Sequence, residues 1–140
     1  MMERAVIGID LGATRIKAGL VRGERIVGTV VVNLNPADRG QEGIVRRLAA
    51  VVEELRAKFL EPGEQPAGIG IGSPGAIRHA TGVIVRAPNF AEWSDFELGR
   101  MLSEATGLET RLDNDANVIT LGEAVYGAGR GMRDFLCLTL

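Results

Sequence analysis

The sequence predicts an α/β fold, and three observations support this prediction. Short aliphatic runs near the N-terminus, beginning with residues 5–9, have the composition of buried strands. Residues 44–59 show the apolar spacing of an amphipathic helix. Strand-like and helix-like segments then follow one another to the end of the sequence, a pattern typical of sheets that are covered by helices.

Three strands come first, and we expect them to form an antiparallel meander. Residues 16–21 and 25–32 are apolar runs separated by Gly23 and Glu24, which have the composition of a hairpin turn. The connection from residue 10 to residue 15 is equally short and contains Gly12. Connections of this length join antiparallel neighbours, because a parallel crossover needs a dozen residues or more.

The first helix gives the clearest periodic signal. It follows a polar loop over residues 33–43, and Pro62 with Gly63 ends its pattern. Its apolar face consists of Ile44, Leu48, Val51, Val52, Leu55 and Phe59.

Shorter elements are predicted in the second half of the chain. The helix before Gly107 is expected to stop there, because glycine favours the left-handed conformation that ends helices. The predicted elements are a strand at 67–72, a strand at 83–85, a loop carrying Pro88, Asn89 and Trp93, a helix at about 95–105, a strand at 108–112, a helix opened by residues 113–117 and ending at Tyr126, a loop at 127–131, and a core strand at 135–140.

The last predicted strand has no turn signal after it, so we expect the chain to be the front part of a longer protein. The last helix and strand would then normally pack on that further part. Four apolar side chains of the helix should lack partners, and we expect self-association or fraying there. They are Val118, Ile119, Leu121 and Val125.

Composition excludes several classes of protein. The 140 residues are 46% hydrophobic and 24% charged, as in one water-soluble domain. A net charge of −2 makes nucleic acid an unfavourable partner. No apolar run is long enough for a membrane span or a signal peptide, so we expect a cytoplasmic protein without membrane contact. Nineteen glycines, about twice the usual share, indicate many tight turns or close backbone approaches.

Two glycine-rich segments are candidate ligand loops. Asp10 ends a buried strand and precedes Gly12 and Thr14. It could hold Mg²⁺, directly or through water, beside backbone N–H groups that bind phosphate, or it could only cap a hairpin turn. Residues 70–75 match the G-x-G-x-x-G dinucleotide motif, but Pro74 and the following turn leave no room for the helix that motif requires. There, small residues would instead let a ligand approach.

Polar residues at the later strand ends have two interpretations each. The cluster Asp113-Asn-Asp-Ala-Asn117 is either a helix N-cap, with Asp115 at or near the cap, or a source of functional carboxylates. Asn89 is either a turn residue or a ligand for a hydroxylated substrate, and Trp93 is either a core residue or a platform for a sugar. His79 and Cys137 have no zinc-ligand spacing or catalytic partners, so we interpret them as a solvated loop histidine and a buried thiol.

Taken in order, four segments resemble the ROK family of sugar kinases and sugar-responsive repressors, especially its bacterial glucokinase-like members. Residues 8–20 are similar to the family's first phosphate loop, residues 70–75 and 87–90 to its sugar-side loops, and residues 113–117 to its catalytic segment. The resemblance implies an actin-like ATPase fold, in which ribonuclease H-like α/β domains with mixed sheets enclose ATP and a sugar.

The resemblance also implies a role for individual residues. Asp115 would be the general base at the sugar 6-hydroxyl, and Asp10 would assist Mg²⁺ directly or through water. Three positions depart from the family pattern: Ala13 and Arg15 stand where a glycine and a lysine are common, and Asp113 where a glutamate is common. The implied residues are Asp10, Gly12, Ala13, Thr14 and Arg15 for ATP and magnesium, and Pro74, Gly75, Asn89, Asn114 and Asp115 for the sugar.

Ala13 is the most informative departure. Its Cβ either points away from the phosphates or weakens the loop. Asp115 and the bend at residues 10–15 are expected to line the same crevice.

By the same resemblance, residues 1–112 would form a small ribonuclease H-like domain and residues 113–140 the start of a second one. The family's second phosphate loop, its Glu-x-Gly-His sugar motif, its adenosine-binding segment and its zinc-binding cysteines would lie beyond Leu140. We therefore expect any structural zinc in that later part, and the chain alone to be inactive. A homo-oligomer is expected for the whole protein.

Three functions remain. The leading hypothesis is an ATP- and Mg²⁺-dependent hexose kinase, glucokinase-like. The alternative is a sugar-sensing ROK repressor, which would carry a DNA-binding helical segment ahead of a sugar domain, whereas the first strand here begins near Ala5. A non-catalytic actin-like domain is disfavoured by Asp115.

Overall fold

The computed structural model describes residues 3–140, in which eight strands and three α-helices follow one another along the chain. A short 3-10 helix at Pro36–Asp38 precedes the first α-helix. The elements are β1 (Ala5–Leu11), β2 (Arg15–Arg22), β3 (Arg25–Asn33), α1 (Gln41–Phe59), β4 (Ile69–Ser73), β5 (Ala76–Arg78), β6 (Val83–Ala87), β7 (Phe90–Phe96), α2 (Leu98–Thr106), β8 (Thr110–Asn114) and α3 (Asp115–Tyr126).

Five strands form a mixed sheet in the order β3-β2-β1-β4-β8. β1, β2 and β3 are antiparallel neighbours joined by short turns, so the predicted meander is confirmed. β1, β4 and β8 run parallel to one another. Because parallel strands point the same way, the carboxyl ends of these three strands meet at one edge of the sheet.

The main core lies on one face of this sheet, beneath α1 and α2. Along β1, alternate residues from Ala5 to Leu11 are buried, whereas Val6, Gly8 and Asp10 face the other side. α1 packs against α2, β2 and β3. Five of its six predicted apolar residues are fully buried and Phe59 is partly buried, which confirms the periodic pattern. The helix begins at Gln41, earlier than the predicted loop allowed.

A second, antiparallel sheet of β5, β6 and β7 lies between β4 and α2 in sequence. The predicted loop around Trp93 was wrong, because residues 90–96 form β7. Its buried residues Phe90, Trp93 and Phe96 fall at every third position, so the alternation that marks strands is absent. β7 also delays the start of α2 to Leu98.

Trp93 is a core residue. It is fully buried and stacks on Phe90 with ring centroids 3.7 Å apart. Its indole N–H donates to the carbonyl of Arg39 at 2.8 Å. This bond fastens the loop before α1 to the second sheet, and the ring is unavailable as a sugar platform.

β8 is an edge strand whose outer side is partly occupied by side chains. The Thr110 N–H donates to Ser103 Oγ at 3.1 Å, and His79 Nδ1 lies 3.4 Å from the Leu112 carbonyl oxygen.

The core strand predicted at residues 135–140 is not formed within residues 3–140. These residues form no regular element, and Leu136, Leu138 and Leu140 are exposed. Strand composition is not enough here, because nothing in residues 3–140 pairs with this segment. Four α3 side chains are exposed as expected: Val118, Ile119, Leu121 and Val125.

α3 packs on β4 and β8, so the chain continues without a break in packing across residue 112. The proposed domain boundary there stays a prediction. Within the described residues, no helix has both the length and the apolar character that crossing a bilayer requires.

Candidate active site

The carboxyl ends of β1, β4 and β8 bring the first and last predicted motifs to one place. In the sheet register Asp10 is paired with Gly72, and Gly72 with Asp113. Neighbouring strands lie about 4.8 Å apart, so the Asp10 and Asp113 backbones are separated by roughly 10 Å.

α3 contacts the three paired residues Asp10, Gly72 and Asp113 at Gly72. A Cβ on Gly72 would lie 3.5 Å from the Asp115 Cα and 3.6 Å from the Val118 Cβ. The first turn of α3 therefore rests directly on the sheet, one strand away from Asp10. Residue 115 and the end of β1 therefore lie at the same edge of the sheet, one strand apart.

The bend after β1 is a tight, hydrogen-bonded turn. The Gly12 N–H donates to the Arg15 carbonyl at 2.9 Å, and the Leu34 N–H donates to the Thr14 carbonyl at 2.8 Å. A Cβ on Gly12 would lie only 2.8 Å from the Arg15 carbonyl oxygen, so the turn requires glycine there. Thr14 and Arg15 are exposed.

Ala13 lies in this turn without disturbing it. Its side chain is partly buried and packs against the hydrophobic core. The methyl group therefore points toward the core.

The register adds a residue that sequence reasoning did not single out. Lys17 lies directly opposite Asp10 on β2, and both are exposed on the face away from α1. The Lys17 side chain therefore starts next to Asp10 on the same face of the sheet. The alternation along β2, combined with the pairing of the first hairpin, could have predicted that Lys17 lies opposite Asp10.

The turn at Pro74 and Gly75, which was predicted to face the sugar, adjoins the same edge. Gly75 has φ = +100°, and Asn114 Nδ2 donates to its carbonyl at 2.8 Å. A Cβ on Gly75 would lie 2.9 Å from the Ala87 Cα, so the turn touches the strand that leads to Pro88 and the exposed Asn89. The two predicted sugar-side segments are thus neighbours, with Pro74 and Gly75 half-buried.

Asp115 lies directly after the cap of α3, as predicted. Asn114 is the N-cap, and its Oδ1 accepts from the Ala116 N–H at 3.0 Å. Asp115 is the first helical residue, half-buried, and its Oδ1 accepts from the same N–H at 2.8 Å.

Asp113 supports this helix start. Its Oδ1 accepts from the Asn114 N–H at 2.7 Å and from Asn117 Nδ2 at 3.1 Å. Its Oδ2 lies 3.7 Å from His79 Nδ1, and the His79 side chain is 68% exposed. Asp113, which stands where a glutamate is common in the family, therefore stabilises the helix start that carries Asp115.

Two other sequence interpretations can be compared with the fold. Gly75 leads into β5 and not into a helix, so the glycine motif at 70–75 lacks the helix that a dinucleotide motif requires. In residues 3–140, no three or more His, Cys, Asp or Glu side chains are grouped so that they could hold a metal ion. A single carboxylate such as Asp10 is a different arrangement, in which substrate phosphates and water complete the shell.

Comparisons with known proteins show the family and support the fold. The family model described as "ROK family" matches residues 6–140. A glucokinase from Thermotoga maritima is 36% identical over 140 residues, which are all of this chain and 43% of that protein. The crystal structure of a ROK family glucokinase from Streptomyces griseus, in complex with glucose and AMPPNP, superposes with a TM-score of 0.79 at 34% identity, over 91% of this chain and 38% of that one. The actin-like fold class is thereby confirmed.

A regulator is also among the relatives. A xylose repressor from Caldicellulosiruptor bescii is 30% identical over 140 residues, covering 97% of this chain and 34% of that protein. The chain spans less than half the length of the curated relatives it matches.

Proposed function

The chain belongs to the ROK family, and on that premise we propose that its complete gene product is an ATP-dependent hexose kinase, glucokinase-like, that phosphorylates a sugar 6-hydroxyl. One observation carries the proposal. Asp115 lies above Gly72, and Gly72 is the strand neighbour of Asp10. A carboxylate that can serve as a base is thereby next to the strand end that leads into a phosphate-type turn.

Asp115 acts on the sugar hydroxyl. A carboxylate is too weak a base to ionise an alcohol beforehand. Phosphoryl transfer has a loose transition state, so Asp115 orients the 6-hydroxyl and takes its proton late. The hydroxyl oxygen forms the new bond to the γ-phosphorus, and the bond from that phosphorus to the β–γ bridging oxygen breaks to release ADP.

Asp10 and the turn after it serve the phosphates. The exposed carboxylate of Asp10 suits Mg²⁺, which often takes one or two protein carboxylates, directly or through water, and completes its shell with phosphate oxygens and water. When bound, the ion would offset phosphate charge. Gly12, Ala13, Thr14 and Arg15 approach the ATP phosphates through their backbone, and Lys17 adds a positive charge beside Asp10.

The remaining site residues face the sugar. Pro74, Gly75, Asn89 and Asn114 contact hydroxyls other than the one phosphorylated. The chain spans less than half the length of its curated relatives, so we propose that the 140-residue chain alone does not phosphorylate a sugar. Any structural zinc, the homo-oligomer and the cytoplasmic location belong to this proposal for the whole protein.

The test is a coupled ADP-release assay on the complete gene product with ATP, Mg²⁺ and a panel of hexoses including glucose. Asp115→Asn should lower kcat about 10²- to 10⁴-fold, as expected for loss of a positioned base. Asp95→Asn is the matched control, because Asp95 has φ = +46° in β7, a conformation that asparagine tolerates, and it should change kcat less than about twofold. Failure on every hexose, or full activity of Asp115→Asn, would contradict the proposal.

A sugar-sensing repressor is the second candidate, and the similarity to a xylose repressor favours it. Sugar binding alone would not separate the two functions. Sugar-dependent binding of the gene product to its own promoter, retained in Asp115→Asn and without phosphoryl transfer by the wild type, would support the repressor.

A further inference from the structure

We propose that Asn114 is a positioning residue: its side-chain amide bridges the sugar-side turn and the helix that presents Asp115. The proposal rests on the proposed kinase function. It assigns Asn114 a structural task in addition to contact with a sugar hydroxyl. The pair of hydrogen bonds from Asn114 to the Gly75 carbonyl and the Ala116 N–H is called the Asn114 bridge below.

The bridge lies where two paired strands separate. Ser73 and Asn114 are the last pair of the β4–β8 ladder. After them β4 turns through Pro74 and Gly75, while β8 passes directly into α3. An extension of the register would bring Gly75 opposite Ala116. The Asn114 amide lies between these two residues, donating to one at 2.8 Å and accepting from the other at 3.0 Å, and so replaces the ladder bond they cannot form directly.

This arrangement requires both a donor and an acceptor on one short side chain. Aspartate keeps the acceptor for the helix start but has no N–H for the Gly75 carbonyl. Serine retains a capping oxygen and lacks the reach. The carboxamide also keeps a second N–H and a further lone pair, so the bridge and a sugar contact are compatible.

The two ends of the bridge are not free to adjust. On one side, Gly75 is held at φ = +100° and is pressed against the backbone of β6, where a Cβ would come within 2.3 Å of the Arg86 carbonyl oxygen. On the other side, Asp115 follows Asn114 directly and its Cα rests on Gly72. The bridge therefore fixes the distance between the turn that faces the sugar and the carboxylate that takes its proton.

Two readouts distinguish a positioning role from sugar contact alone. Misplacing a catalytic group by about 1 Å can cost on the order of 10²-fold in rate, so loss of the bridge should lower kcat. Loss of a ground-state sugar contact raises KM and leaves kcat unchanged. The bridge also holds two segments together in the absence of sugar, which a contact with sugar alone would not do.

The experiment uses the complete gene product in three variants, Asn114→Asp, Asn114→Ser and Asn89→Ser, the last being a neighbouring proposed sugar contact outside the bridge. Kinetics are measured with glucose and ATP, and hydrogen exchange by mass spectrometry is measured without sugar. Both Asn114 variants should lower kcat about 10- to 100-fold, and any rise in the glucose KM reports the separate contact of Asn114 with the sugar. Peptides covering residues 73–76 and 114–118 should exchange about 5- to 10-fold faster. Asn89→Ser should raise KM only and leave exchange unchanged.

Unchanged exchange in Asn114→Asp, or an effect of that variant on KM alone, would overturn the proposal. Should Asn114→Asp fail to fold, Asn114→Ser decides by the same criteria, because it keeps an oxygen for the helix start. If the wild type phosphorylated no hexose, the kinase function and a positioning role in it would fail together. In that case faster exchange in the variants would still show that the bridge exists, so the two failures are distinguishable.

Discussion

Replacing Gly75 by alanine tests whether the turn between β4 and β5 is as constrained as its geometry indicates. Gly75 has φ = +100°, where side chains are rarely tolerated. An added Cβ would lie 2.3 Å from the Arg86 carbonyl oxygen, whereas real Cβ atoms are essentially never found closer than 3.0 Å to another heavy atom. The Arg86 backbone is paired with Ala76 on one side and Ser94 on the other, so it cannot move aside.

The expected loss of stability has two parts. A left-handed backbone conformation costs an L-residue about 1–2 kcal/mol. Overpacking against groups that cannot relax costs about 1–3 kcal/mol. We therefore expect Gly75→Ala to lower the free energy of unfolding by about 3 kcal/mol, and Tm by roughly 10 °C in a chain of this size.

Urea unfolding of the 140-residue chain measures this loss, followed by the fluorescence of Trp93, which is fully buried and the sole tryptophan. Gly70→Ala is the matched control. A Cβ at Gly70 meets no atom within 4 Å, and its φ is outside the left-handed region. It should leave stability unchanged or raise it by about 0.5 kcal/mol. A loss below about 1 kcal/mol in Gly75→Ala, or an equal loss in both variants, would refute the reasoning.

Three further outcomes are expected. Trp93→Phe removes the N–H that the Arg39 carbonyl accepts and should cost about 2 kcal/mol in urea unfolding followed by circular dichroism; a change under about 0.5 kcal/mol would contradict the buried bond. Ala13→Gly removes a methyl group packed on the core and should cost about 1 kcal/mol, with the ATP KM of the complete gene product changed less than about twofold; tighter ATP binding would show that the methyl group obstructs the phosphates. The hydrogen bond from Arg22 lowers the pKa of Glu64 below its ordinary 4.5, so Arg22→Gln should raise that pKa in a carboxyl NMR titration. Because the folded pKa is the lower one, the pair stabilises the fold above pH 4.5 and this contribution is lost as pH falls through the folded pKa. The urea midpoints of wild type and Arg22→Gln should therefore converge in acid, and a gap that persists there would contradict the assignment.

Much of the fold could be predicted because local patterns and tertiary structure agree. The strands of the meander and α1 follow from alternation, short turns and helical period, all of which act within a few residues. β7 escaped detection because its buried aromatic residues have a spacing of three. β5 has only three residues and left no pattern to recognise. Residues 135–140 have strand composition, but a strand also needs a neighbour to pair with.

The candidate site, like the fold, could be predicted only in part. The motifs could be found in the sequence, and their resemblance to one family gave their order a meaning. The sequence could not predict which polar atoms are hydrogen-bonded within the chain, because these bonds depend on pairing between distant segments. Asn114 and Gly75 are 39 residues apart and meet only through the β4–β8 register.

β1, β4 and β8 are parallel, so the candidate site residues at their carboxyl ends lie at the opposite edge of the sheet from their amino ends. The turn at Gly23 and the stretch from residue 60 to residue 68 lie at the amino end of β1, about 20 Å from Asp10 along a strand of seven residues. Labels, immobilisation tags or fused reporters introduced at residues 61–66 would therefore lie far from Asp10. Homologues of different length should carry their insertions at that edge of the sheet.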